Sequence, residues 1–133
     1  MFARPLINDA SGLTRIARQG DGCFSQLNPS ALSADANTTI AVSDLAGGLI
    51  LRSGLTAGRT DTSPTAALLT AAFTNMDVGD SFEVTISNQS GFTETLAGGV
   101  GVTASGNLLV LTLTAKRVLF IKDSAAAWRM IAL

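Results

Sequence analysis

Residues 61–87, DTSPTAALLTAAFTNMDVGDSFEVTIS, hold the two best-formed local patterns of the chain, and they have different periods. Thr62 or Ser63 can cap a helix N-terminus, and Pro64 suits the first helical position because its missing N–H would be unpaired there. Leu69, Ala72, Phe73 and Met76 then fall at spacings of 0, 3, 4 and 7, one apolar stripe. The spacing predicts a short helix over about 64–76, broken by Val78, Gly79 and Asp80. Beyond the break Phe82, Val84 and Ile86 alternate with Ser81, Glu83, Thr85 and Ser87, which predicts a strand with one wet face. Neither element carries reactive groups.

Outward from this stretch the sequence reads as short strands. Candidates lie at 38–42 and 49–52, separated by a turn at 44–48, and then at 92–96, 100–103, 108–114, 117–122 and 127–133. That number of strands at this spacing, with one short helix, predicts a mainly β protein, a jelly-roll-like β-sandwich over 38–133. Residues 1–37 show no sustained period and read as an extended N-terminal arm. The motif Leu-Ala-Gly-Gly occurs at 45–48 and again at 96–99, and is read as a recurring tight turn.

Composition narrows the function. A chain of 133 residues supports one core. Only 14% of it is charged, against about a quarter in ordinary soluble domains, while 47% is hydrophobic. Apolar surface in excess of one small core belongs in interfaces. A net charge of −1 argues against a nucleic-acid partner. No apolar run is long enough to span a membrane, and Pro5, Asn8 and Asp9 interrupt any signal-like segment. There is no histidine, no tyrosine, one tryptophan and one cysteine, Cys23, which reads as a small shielded apolar residue. The most common general base and zinc ligand is therefore missing. No enzyme activity, metal, cofactor or small-molecule substrate is expected.

The remaining motifs read as structure. Residues 54–60, GLTAGRT, fall short of a phosphate loop in spacing and carry Arg where Lys is needed. Asp77, Asp80 and Glu83 read as solvated acids of a turn, because Glu83 lies on a wet strand face. Asn37 and Asn88 begin glycosylation sequons, which matter only in a secreted protein. The strand at 117–122 is different: Val118 and Phe120 point one way, Leu119 and Ile121 the other, and both faces are apolar. Cover by the arm and a subunit interface are the two explanations, and low charge favours the interface. Leu108, Val110, Val118 and Phe120, with the basic Lys116 and Arg117, are the candidate interface residues. Between 61 and 115 there are five acidic residues and no Lys or Arg, whereas 116–133 holds four basic residues against Asp123. Such blocks suit either packing between identical subunits or pairing within one chain.

Three segments carry a resemblance: 59–69 (RTDTSPTAALL), 78–86 with Asn88 (VGDSFEVTI), and 96–103 with Gly106 (LAGGVGVT). Together they resemble the β-sandwich decoration, or cement, proteins of tailed-bacteriophage capsids, over a little more than half the chain. The same pattern recurs in some tail-fibre and tail-tip modules. The resemblance implies a virion structural protein, made in the host cytoplasm and placed on the capsid surface as a homotrimer that bridges major capsid protein subunits. It also implies a docking role for the arm, with Arg4, Arg15 and Arg18 as candidate contacts. The alternative is a tail-fibre or tail-tip module that recognises a host glycan.

Overall fold

The computed structural model describes residues 27–133, and ahead of them the backbone of two short strands. These are β1 (Leu6–Asn8) and β2 (Thr14–Ile16), paired antiparallel with Leu6 opposite Ile16. The side chains of Arg4, Arg15, Arg18 and Cys23 lie outside the described residues. From there the chain runs through β3 (Ser30–Leu32), β4 (Thr38–Thr39), α1 (Val42–Ala46), β5 (Leu49–Arg52), β6 (Arg59–Thr62) and α2 (Ala66–Ala72). It continues through β7 (Ser81–Asn88), β8 (Glu94–Ala97), β9 (Val102–Gly106), β10 (Leu109–Val110), β11 (Ala115–Lys122) and β12 (Trp128–Ala132). Ser30–Leu32, assigned to the arm by sequence, pairs with β5 in the main sheet.

The strands form a six-stranded sheet, β3-β5-β7-β11-β12-β9, and a four-stranded sheet, β10-β8-β6-β4. From β3 to β11 every strand lies in the opposite sheet from the strand before it. Strands two apart in sequence therefore become parallel neighbours: β3 with β5 with β7, and β4 with β6 with β8. The first half of the body is thus a parallel coil, and β10 and β11 close it by returning antiparallel on β8 and β7. A jelly roll is built from antiparallel strands. The mainly β expectation holds, but the jelly-roll topology does not describe this mixed pairing.

Both sheets turn apolar side chains to one interior. Ile50, Val84, Ile86, Val118, Phe120, Trp128 and Met130 come from the larger sheet, Leu96 and Val110 from the smaller, and Leu45 and Leu69 from the helices. The alternation of β7 is as read, with Val84 and Ile86 buried and Ser81 and Glu83 exposed. Phe82 stacks on Phe120 at 5.2 Å between centroids and meets Phe73, just past α2, at 4.8 Å. Leu69 from the helix, with Phe73 and Met76 from the chain just after it, therefore closes this end of the core, while Ala72 of the expected stripe is exposed.

Three local readings change. The N-cap of α2 is Thr65, whose hydroxyl accepts from the Leu68 N–H at 3.3 Å, and not Thr62 or Ser63. A residue before proline is pushed to extended backbone. Ser63 therefore continues the line of β6, and the helix starts two residues later and ends at Ala72. Residues 42–46, read as strand end and turn, form a helix, because the Asp44 carboxylate reaches back to the Ala41 N–H at 2.9 Å. Strand 108–114 shrinks to Leu109–Val110, because a turn follows at once. The two Leu-Ala-Gly-Gly copies differ in kind. Gly48, at φ +79°, ends α1, whereas Gly98 and Gly99 follow β8, where a Cβ on Gly98 would lie 2.2 Å from the Val102 carbonyl oxygen.

Phe82→Ala should lower stability by about 3 kcal/mol in denaturant melts, since it removes a ring packed between three others. Glu83→Ala, on the other face, loses only an exposed 3.7 Å contact with Arg117 and should change stability by less than about 0.5 kcal/mol. The reverse order would mean an inverted register for β7.

Candidate functional site

Parallel coiling places the connections in two sets. Those after β3, β5 and β7 (33–37, 53–58 and 89–93) leave parallel strands of one sheet and enter parallel strands of the other, so they lie at one end. The connection 111–114 joins them, because β10 and β11 run antiparallel to β8 and β7. Hydrogen bonds link the set from side to side. The Asp35 carboxylate accepts from the Thr56 N–H at 3.1 Å, Gln89 N–H donates to the Arg52 carbonyl at 2.7 Å, and Asn88 N–H to the Thr114 carbonyl at 2.8 Å. This row of four loops is the candidate functional surface, since loops held on a rigid frame are where binding groups are usually presented.

The frame beneath the row is polar. Arg52 sits at an inward position of β5, two residues after the buried Ile50, and is itself fully buried. Its Nε donates to Asp61 Oδ2 at 2.7 Å and one Nη2 hydrogen to Oδ1 at 3.3 Å, so the pair crosses from one sheet to the other. The remaining N–H groups donate to the carbonyls of Leu32 at 3.1 Å, Ala34 at 2.6 Å and Ala36 at 2.8 Å. Every guanidinium donor is paired, and loop 33–37 is fixed by its own backbone.

Asn88, the register partner of Arg52 on β7, does the same for the next two loops. Its Nδ2 donates to the carbonyls of Phe92 at 2.7 Å and Val110 at 3.0 Å, while Oδ1 accepts from the Ser90 N–H at 3.0 Å and hydroxyl at 2.7 Å. Asn88 is fully buried, so its sequon cannot be modified in the folded chain. At the far end Asp35 is held down to a pKa of about 2, chiefly by hydrogen bonds from the Thr56 hydroxyl and N–H, with help from Arg59.

Glu94 completes the buried layer. It is fully buried, and neither carboxyl oxygen accepts a hydrogen bond from a protein donor. Burial, and then the adjacent Asp61 carboxylate, push its pKa up to about 9 against the pull of Arg52. At neutral pH Glu94 is a neutral acid with one proton to donate, and Asp61 is the acceptor beside it. The layer is then charge-balanced, with one guanidinium against one carboxylate.

The surface of the row is nearly uncharged and changes character along its length. It runs from Asp35 and Asn37, past Thr56, to an apolar end where Phe92 is 44%, Leu111 53% and Leu113 75% exposed. Among the described residues, Leu113 is the one non-glycine residue with positive φ, at 55°. The Thr114 N–H donates to the Leu111 carbonyl at 3.2 Å, which puts Leu113 at the third position of a tight turn, where glycine or asparagine usually sits. Left-handed backbone costs a leucine roughly 1–2 kcal/mol.

Comparisons with protein-family models, curated proteins and solved structures return no match. The surface is therefore read from its own chemistry. Among the described residues no cluster of His, Cys, Asp and Glu is arranged for a metal ion.

The candidate interface residues are not gathered on a surface. Val110, Val118 and Phe120 lie in the core between the sheets, and Leu108 packs against that core. The Lys116 ammonium is tied to the carbonyls of Asn107 and Leu109, the second at 2.6 Å, and Arg117 faces Glu83. The second apolar face of β11 is real but consists of half-buried Leu119 and Ile121, on the outer side of the larger sheet beside Ile131. Of the basic block, Arg117 lies 3.7 Å from Glu83 of the acidic block, and Lys122 donates to a neutral backbone carbonyl, that of Met76, at 2.8 Å. Sequence reading gave no sign that Arg52, Asp61, Asn88 and Glu94 form one buried layer; Asn88 was noted there only for its sequon and the resemblance. The signal present was a charged or amide side chain on the inward side of an alternating strand.

Glu94→Gln separates a charge role from a shape role. Between pH 4.5 and about 9 the folded chain holds a proton on Glu94 that the unfolded chain has released, so stability falls as pH rises through that window. The glutamine variant lacks this dependence. Its advantage in denaturant melts should grow by about 1.4 kcal/mol per pH unit from pH 5 to 8. Equal pH slopes for the two proteins would show that Glu94 is ionised in the fold.

Proposed function

We propose that the chain is a virion structural protein, a capsid decoration protein that sits as a homotrimer on the head of a tailed phage and bridges major capsid protein subunits. The observation that carries the reading is apolar surface at two places on a weakly charged body: half-buried Leu119 and Ile121 on the outer face of β11, and exposed Phe92, Leu111 and Leu113 at one end of the loop row. One serves contact between copies, the other contact with the shell. Many weak contacts made at once give firm attachment without a deep site in any one subunit. The resemblance of 59–69, 78–86 and 96–103 to cement proteins supplies the class of partner. In the fold these segments are strand β6, the Thr65 cap, strand β7 and the glycine turn after β8. A glycan-binding tail module is the second reading, and it is weakened because Trp128 is buried and cannot stack on a sugar.

The purified protein should sediment as a trimer at micromolar concentration, and should load onto undecorated heads with density at three-fold positions in cryo-electron microscopy. Leu119→Lys, on the outer face of β11, should leave a folded monomer. A wild-type monomer would remove the trimer, and density confined to the tail would replace the decoration reading with the tail reading.

A further inference from the structure

The buried layer under the loop row has no hydrogen-bond donor to spare. Glu94 stands at an inward position of β8, fully buried, and neither oxygen accepts from a donor among the described residues. Four elements bring groups to it. Asp61 on β6 lies beside it, Arg52 on β5 lies within range of its charge, and Val110 is its register partner on β10. Arg59, its register partner on β6, gives its guanidinium to Asp35 at 3.0 Å. Asn88 on β7 is uncharged, and its amide hydrogens go to the Phe92 and Val110 carbonyls. The five Arg52 N–H groups are divided between Asp61 and the carbonyls of Leu32, Ala34 and Ala36. While Glu94 keeps its proton, one guanidinium faces one carboxylate and the layer is complete.

Loss of that proton breaks the balance, because two carboxylates then face one guanidinium. A buried charge left without a donor costs more than a carbonyl that water can reach, and a charged acceptor forms the stronger hydrogen bond. Ala34 and Ala36 lie in an exposed connection where water can replace the guanidinium, whereas Glu94 is sealed from water. We infer that Glu94 is a proton-operated latch on loop 33–37: its ionised carboxylate draws Arg52 Nη hydrogens away from the Ala34 and Ala36 carbonyls and frees the loop. The proton goes to solvent and Arg52 stays charged throughout. The freed loop keeps its exposed ties, from Asp35 to Thr56 and Arg59 and from Asn37 to the Thr60 N–H, so it loosens without leaving the body. Connection 89–93 is held by the Asn88 amide and stays in place. Burial and Asp61 hold the proton up to a pKa of about 9, so the latch opens on the alkaline side.

The test treats the full chain with a broad-specificity alkaline protease at a series of pH values, with cleavage sites read by mass spectrometry. Glu94→Gln is treated in parallel, so that the protease's own pH dependence cancels. A carbon-13 titration of the Glu94 carboxyl gives the ionised fraction independently. From one pH unit below its midpoint to one above, that fraction rises from about a tenth to about nine tenths, so cleavage within 33–37 relative to Glu94→Gln should rise roughly ninefold. Cleavage within 89–93 should stay level. If Glu94→Gln does not fold, the wild-type ratio of cleavage at 33–37 to that at 89–93, set against the carboxyl titration, decides the question alone. Level cleavage at 33–37 while Glu94 titrates would overturn the latch, and so would a Glu94 carboxyl already ionised at neutral pH. Earlier opening of 89–93 would overturn it in favour of Asn88 as the donor, and simultaneous cleavage of all the connections would replace it with unfolding of the body.

Discussion

The Arg52–Asp61 pair is the constraint on which the body depends. It runs through the interior from the larger sheet to the smaller, at zero exposure on both sides. Two charges out of water are stable only when their hydrogen bonds are complete, and here the guanidinium has all of its donors in use. A hydrophobic pair could hold the sheets together as firmly. It could not hold loop 33–37, whose Ala34 and Ala36 carbonyls both accept from this guanidinium. The pair thus sets the spacing of the sheets and the shape of a loop through one planar group.

The interior is accordingly divided into two levels. Near α2 it is aromatic and aliphatic, with Phe82 in contact with Phe73, Phe120 and Trp128, and Phe73 also meeting Trp128. Under the loop row it is polar: Arg52, Asp61 and Asn88 are paired with one another or with loop backbone, and Glu94, whose oxygens accept no bond from a protein donor, is buried as a neutral acid. The lower level supplies most of the burial. The upper level converts surface connections, which would otherwise be free to move, into fixed parts of the frame. A binding face prepared in this way does not lose entropy by ordering when it meets a partner.

Much of this was legible in the sequence where a pattern was long enough to have a period. β7 and β11 were placed within two residues, and β5 at its observed bounds. Short elements were lost. β3 spans three residues and was assigned to the arm, β4 keeps only two residues of the strand expected at 38–42, and β6 lies where Gly58 and Arg59 suggested a loop. The helix α1 was hidden because its capping contact comes from Asp44, three residues inside, and not from a polar residue at the cap. Sheet assignment was beyond alternation alone. Val118 and Leu119 are equally apolar, and only the pairing of β11 between β7 and β12 decides which faces inward. Val118 and Phe120, named as candidate interface residues, therefore fall on the inward side. The loop row escaped for a related reason, since its members come together through topology and are far apart in sequence.

The position of β11 also bears on how the chain reaches this state. It lies in the middle of the larger sheet, yet 26 residues separate it from β7, its neighbour on one side, and β12 follows it on the other. The coil from β3 to β8 can form rung by rung as the chain is made, because each strand pairs with one already present. Until Ala115–Lys122 arrives, the long edge of β7 stays unpaired and the side chains of Val84 and Ile86 have no cover from that side. An open apolar edge of this length is a site for wrong pairing. Synthesis thus passes through a vulnerable interval that ends only when a late strand slots into the centre. A copy stopped short of it would expose the surface that marks a chain for degradation or aggregation, so the topology itself screens incomplete copies.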